Sequence, residues 1–203
     1  VNRGGTRLNN QEMRNALYQG NATRLINRLA EKEVFVAATE HSVPANHMKD
    51  KYLVLRFVAF YLWQEHITTD PDTNGLLEYR SNVEDFLGKT MRFLNRLSPE
   101  YRLFEELDAR FTRAMELAIR LLPSGGFRLP SSPGKKRPIN MAFFESFGYL
   151  LSKLNGEGER FHHQIQEVYT QLMSNAAYLD TLTRSVDSGV QTKKRYEIIN
   201  RFI

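Results

Sequence analysis

The sequence predicts an all-α protein: an irregular multi-helix bundle around one buried central helix at about residues 46–66. Three observations predict it. Over most of the chain apolar residues recur at helical spacing. The stretch Tyr52 to Trp63 is apolar on all sides except at Arg56, and a helix that is hydrophobic all round is buried among others. Capping residues and Pro/Gly breakers cut the chain into segments of helical length.

Residues 1–7 have no periodicity, contain a Gly pair and read as loop. Asn9 is a good N-cap, Glu12 its capping-box partner three residues on, and Leu8 and Met13 occupy hydrophobic-staple positions. Gly20 stands where a C′ residue would end this first helix. A second helix runs from about Ala22 to Glu31, with Leu25, Ile26 and Leu29 on one face. Val34 to Ala38 fits either a short strand or a buried turn of helix. Pro44 precedes the central helix, about Asn46 to His66, and Thr68 to Gly75 is a polar turn cluster.

Two amphipathic helices follow, at about Leu77–Leu97 and Pro99–Leu122. Ser98 as N-cap, Pro99 at the first helical position and Glu100 in the first turn punctuate them, and so short a connection predicts an antiparallel hairpin. Residues 123–138 hold four prolines and three glycines, which leaves no regular structure. Three more helices are expected at about Ile139–Leu154, Glu159–Leu182 and Thr192–Phe202, giving seven or eight in all.

At 203 residues, 41% hydrophobic and 25% charged, the chain can bury one globular core. It has no cysteine, which excludes a disulfide scaffold, a cysteine nucleophile and a thiolate metal site, and which fits a cytoplasmic, reducing location. No apolar run is long enough to span a bilayer, and no signal peptide opens the chain, so it is expected to be soluble and without a membrane partner. It starts without Met inside a loop-like Val-Asn-Arg-Gly-Gly and reads as a piece of a longer protein.

The net charge of +5 is concentrated. Lys/Arg and Asp/Glu nearly balance everywhere except in residues 123–138, where Arg128, Lys135, Lys136 and Arg137 stand with no acid. Positive charge on a flexible segment is enough to contact phosphates, and a solvated connecting loop is the competing reading. No aromatic interleaving in that segment supports stacking of single strands. The histidines show no metal-binding spacing: His162 and His163 are adjacent and diverge on a helix, while His41, His47 and His66 stand apart. No serine-nucleophile motif occurs. Arg56, inside an apolar helix, must be paired. It is either half of a buried salt bridge, with Glu12 a candidate partner, or an anion-binding arginine at the base of a cleft.

The string Asn2-Arg-Gly-Gly-Thr-Arg-Leu-Asn-Asn-Gln-Glu-Met-Arg-Asn-Ala-Leu-Tyr-Gln-Gly20 resembles the segment N-x-G-G-x-x-L-x-x-x-E-x-R-N-x-x-Y-x-G of GmrSD-type proteins. These belong to the ParB superfamily and are linked to type IV restriction and phage defence. Met48-Lys-Asp-Lys-Tyr-Leu-Val-Leu-Arg-Phe-Val-Ala-Phe-Tyr61 resembles the family's next helix, and Lys193-Lys-Arg-Tyr-Glu-Ile-Ile199 its ending. The family's Asp-Gly-Gln-Gln-Arg motif and its HNH nuclease motif do not occur in this chain.

The resemblance therefore implies the helical carboxy-terminal half of such a protein, without catalytic residues of its own. A nucleoside triphosphate would be handled by a ParB-like domain upstream. Asn2, Gly5, Glu12, Arg14, Asn15 and Tyr18 match the motif; with Arg3 and Arg56 they would face that domain and its nucleotide cleft. Arg128, Lys135, Lys136 and Arg137 would contact DNA. The alternative function is a helical scaffold or homo-oligomerisation module with no nucleic-acid role.

Overall fold

The computed structural model describes residues 9–122, 126–132 and 134–203. Among them are ten α-helices and no strand: α1 (Asn10–Leu17), α2 (Asn21–Ala30), α3 (Glu33–Ala38), α4 (Lys49–Gln64), α5 (Val83–Arg96), α6 (Leu103–Leu121), α7 (Met141–Lys153), α8 (Gly158–Ser174), α9 (Ala176–Thr183) and α10 (Gly189–Ile199). The all-α bundle expected from periodicity is what the chain forms. No helix among the described residues is long and apolar enough to cross a membrane.

The centre is a pair of helices. In α4 every residue from Leu53 to Leu62 is buried, Arg56 included. In α7 every residue from Ala142 to Ser152 is buried as well. These two pack on each other, and α7 also packs on α6, so it is a second central helix. Aromatic rings interlock from α4 to its neighbours: Phe57 meets Phe144 of α7 edge-on at 6.4 Å and Phe111 of α6 at 5.1 Å, and Phe60 lies 5.0 Å from Phe86 of α5.

Several boundaries differ from the sequence reading, each for a local reason. Residues 34–38 are helical, within α3. The helix expected from Leu77 starts at Val83, where Asn82 caps it by accepting from the Asp85 N–H at 3.1 Å. Before it the chain runs extended, pairing Thr69 with Leu76 and burying Leu77 and Tyr79. Ser98 does not cap α6, because its hydroxyl is bonded to the Glu100 carboxylate, and the helix starts at Leu103. Nor do these two helices form the expected hairpin: α5 packs chiefly on α2 and α4, and α6 on α7 and α3. The helix expected over Glu159–Leu182 is two, because Asn175 accepts from the Tyr178 N–H at 3.0 Å and starts α9.

Gly20 ends nothing; it precedes α2 with φ 152°. Asn95 on α5 serves both neighbouring helix ends, donating to the Tyr18 carbonyl at 2.9 Å and accepting from the Ala22 N–H at 2.8 Å. A Cβ on Gly20 would stand 2.6 Å from Asn95 Oδ1, so close approach and backbone conformation both require glycine there.

Candidate functional site

Asn2, Arg3 and Gly5 lie outside the described residues, as does the staple residue Leu8. Glu12 is the capping partner expected: Asn9 Oδ1 accepts from the Glu12 N–H at 2.9 Å, and Glu12 Oε2 accepts from the Asn9 N–H at 2.7 Å. Arg14 faces inward. It is buried, donates to Gln11 Oε1 at 2.9 Å and pairs with Glu84 on α5. Tyr18 also turns to α5, its ring lying where Gly88 leaves room, since a Cβ there would be 3.4 Å from it. Asn15 is half-buried. Arg14 and Tyr18 thus fasten α1 to the chain's own α5, and α1 exposes Asn10 and Ala16 together with two large apolar side chains, Met13 and Leu17, 44% and 73% exposed.

Two clefts flank this helix. One, of about 240 Å³, is lined by Met13, Arg14, Leu17, Tyr18 and Arg92. The other, of about 420 Å³, is lined by Asn9, Asn10, Arg14, Lys49, Tyr52 and Glu84. Tyr52 joins Arg14 to Arg56, with the two guanidinium carbons 5.4 and 5.8 Å from its ring centre.

Arg56 is half of a buried salt bridge, and its partner is Glu145 rather than Glu12. Its Nε donates to Glu145 Oε2 at 2.6 Å, its Nη2 to Asp187 Oδ1 at 2.6 Å and its Nη1 to Tyr52 Oη at 3.3 Å. The second oxygen of Glu145 accepts from Arg195 Nη2 at 2.8 Å. Arg56 and Glu145 are 1% and 0% exposed, whereas Asp187 is 43% exposed. Burial works against the Arg56 charge, but Glu145 and Asp187 outweigh it and hold its pKa well above the ordinary value. Burial pushes Tyr79 up to about 12, with the nearby Asp187 charge acting in the same direction. Every guanidinium nitrogen of Arg56 therefore has a partner inside the chain.

The basic segment is anchored, not a free connector. Phe127 is fully buried with its ring 4.7 Å from that of Phe144, and its carbonyl accepts from the Asn140 N–H at 2.9 Å. Arg128 folds back on its surroundings: Nη2 donates to Ser42 Oγ at 2.6 Å, and Nη1 donates to the Arg137 carbonyl. Lys136 pairs with Glu40 at 2.6 Å. Neither Lys135 nor Arg137 has an ion-pair partner among the described residues. With Glu40 and Tyr169 the four cations line a cleft of about 640 Å³. A larger cleft, of about 790 Å³, lies between α6 and the end of α7, where Arg110 donates to the Ser152 carbonyl at 3.0 Å and Arg113 to that of Gly156. No group of three or more His, Asp or Glu side chains among the described residues is placed to hold a metal ion.

Sequence reasoning missed Glu145, Asp187, Arg195, Glu40, Asn95 and Tyr169 as site-building residues. For Glu145 a signal existed: it is a lone acid in an apolar helix, the counterpart of the lone Arg56. The others are brought in by tertiary packing. Compared with known protein families, curated proteins and solved structures, the chain matches none.

Proposed function

We propose that this chain is the helical accessory domain of a GmrSD-like, DNA-associated defence protein of the cytoplasm. It packs through α1 and the residues before it on a ParB-like domain and completes that domain's nucleotide cleft. The observation that carries the proposal is the two-sidedness of α1. Its inner side is tied down by Arg14 and Tyr18, while Met13 and Leu17, one turn apart, stay exposed on its outer side. An eight-residue helix has little stability of its own, so an anchored one that presents adjacent apolar side chains suits a docking edge.

On this reading Arg14 and Tyr18 of the resembling motif hold the edge in place. Asn2, Arg3, Gly5 and the outer face of α1 meet the partner. A nucleoside triphosphate belongs to the ParB-like domain, and Arg128, Lys135, Lys136 and Arg137 supply positive charge for DNA.

The test joins this chain to a ParB-like domain bearing Asp-Gly-Gln-Gln-Arg and follows nucleoside triphosphate hydrolysis. The chain should raise the rate, and Leu17→Glu should remove the increase while leaving this chain's circular dichroism unchanged. A rate indifferent to the chain's presence sinks the proposal. The same exposed pair also suits a scaffold that self-associates; sedimentation of the chain alone would then show a dimer that Leu17→Glu dissociates.

A further inference from the structure

The basic segment deserves a narrower reading than general attraction to DNA, because the fold makes it concave and gives it an aromatic wall. Residues 126–132 and 134–137 do not present their cations on a flat or convex face. Burial of Phe127 and Leu129 pulls the segment onto the body of the protein, and Arg128 ties its start to Ser42 and to the Arg137 carbonyl near its end. The four cations thereby converge on one cleft of about 640 Å³, within the range of small-ligand pockets and far smaller than a duplex needs.

Three details point to an occupant. The cleft carries four cations against one acid, Glu40, which its contacts with Lys136 and Arg128 place among them. The Nε of Arg128 is buried without a hydrogen-bond acceptor among the described residues; Glu40 Oε2 stands 3.7 Å away, beyond hydrogen-bond reach. Arg128 and Glu40 thus face each other as an ion pair in the wall of the cleft without a direct hydrogen bond, which leaves Lys135 and Arg137 as its unneutralised charges. Finally, Tyr169 arrives from α8, far away in sequence, to line the same cleft, half-buried and braced against Phe147 at 5.9 Å. A braced ring beside a cationic cleft is the combination that holds unpaired nucleotides, with charge for the phosphate and a π-face for the base.

We infer that this cleft binds one nucleotide unit of a single-stranded nucleic acid, its phosphate on Lys135 and Arg137 and its base against Tyr169. The inference rests on the DNA contact of the proposed function and makes it specific. Glu40 holds Arg128 and Lys136 in place and reduces the net positive charge, which limits unspecific attraction to duplex. A base locked in a duplex cannot reach Tyr169, so selectivity for unpaired strands follows from the shape of the cleft.

The experiment measures fluorescence anisotropy of the whole chain with labelled oligothymidylate and with a duplex of equal length, across a salt series. The single strand should bind about tenfold or more tightly than the duplex, and thymidine 5′-monophosphate should compete, more weakly. Tyr169→Leu should weaken the single strand by about fivefold or more while leaving the duplex unchanged. Tyr169→Phe should bind as the parent does. Lys135→Ala and Arg137→Ala should each lower the single-strand salt slope by about 0.7. Circular dichroism of each variant checks that it is folded. Equal affinity for duplex and single strand, or a folded Tyr169→Leu that binds unchanged, overturns the inference and leaves the general DNA contact standing. No binding at low salt removes that contact as well, while the docking role of α1, tested by hydrolysis, stands or falls separately.

Discussion

Arg56 and Glu145 are 89 residues apart in sequence and meet at 2.6 Å in the core, between the two helices that are buried along most of their length. Neither residue suits its own helix alone. An unpaired charge at either position would cost several kcal/mol, so each requires the other, and together they specify how α4 faces α7. Arg195 extends the pair from α10, and Asp187 closes it from the surface.

Glu145→Gln keeps the shape and removes the charge that two buried guanidinium groups share. It should destabilise the protein by about 3–5 kcal/mol in urea unfolding. Asp187→Asn, at a position 43% exposed, should cost less than about 1 kcal/mol. Equal costs for the two would show that the network is not centred on Glu145.

Asn95→Ala removes the bonds that finish α1 and start α2, at a cost of about 1–2 kcal/mol. Gly20→Ala should also destabilise, because its Cβ would meet Asn95 Oδ1 at 2.6 Å. The two residues touch, so their effects should not add: the double variant should lose less than the sum of the single ones, since truncating Asn95 relieves the clash. Strict additivity in denaturant melts would contradict this arrangement.

Phe127→Ala should cost about 3–5 kcal/mol, as a buried ring removed from a core does. It should also speed tryptic cleavage after Lys135 and Lys136, because Phe127 holds that segment down. A loop that merely connects two helices would show neither effect.

Alkaline pH should unfold the protein through its buried tyrosines. Burial raises Tyr79 from an ordinary value of 10.0 to about 12, so between those limits the folded chain keeps a proton that the unfolded chain has released. The stabilisation is complete below about pH 10 and is lost as pH rises through about 12. Tyr79→Phe should flatten this part of a stability-against-pH curve, and an unchanged slope would remove Tyr79 as its source.

By itself the sequence determined the helical class, the buried course of the central helix between Tyr52 and Trp63, the capping box of Asn9 and Glu12, and the need for a partner at Arg56. These follow from period, local hydrogen bonding and the energy of a buried charge, which neighbours in the chain are enough to reveal. The helix starts at Val83 and Ala176 rest on caps as local as that of Asn9, namely Asn82 and Asn175, but helical apolar spacing continues across them and hides them, while the start at Leu103 has no side-chain cap to read. The hairpin expected around Ser98 failed for another reason: a short connection brings two helices near, but buried area decides which surfaces they pack on.

Only the tertiary structure chose Glu145 and Asp187 for Arg56, Glu84 for Arg14 and Asn95 for the ends of α1 and α2. It also turned a run of basic residues between two helices into a cleft with Tyr169 on its wall. A buried charge demands an opposite charge without saying which one. The answer depends on which distant side chain the packed core brings within about 3 Å.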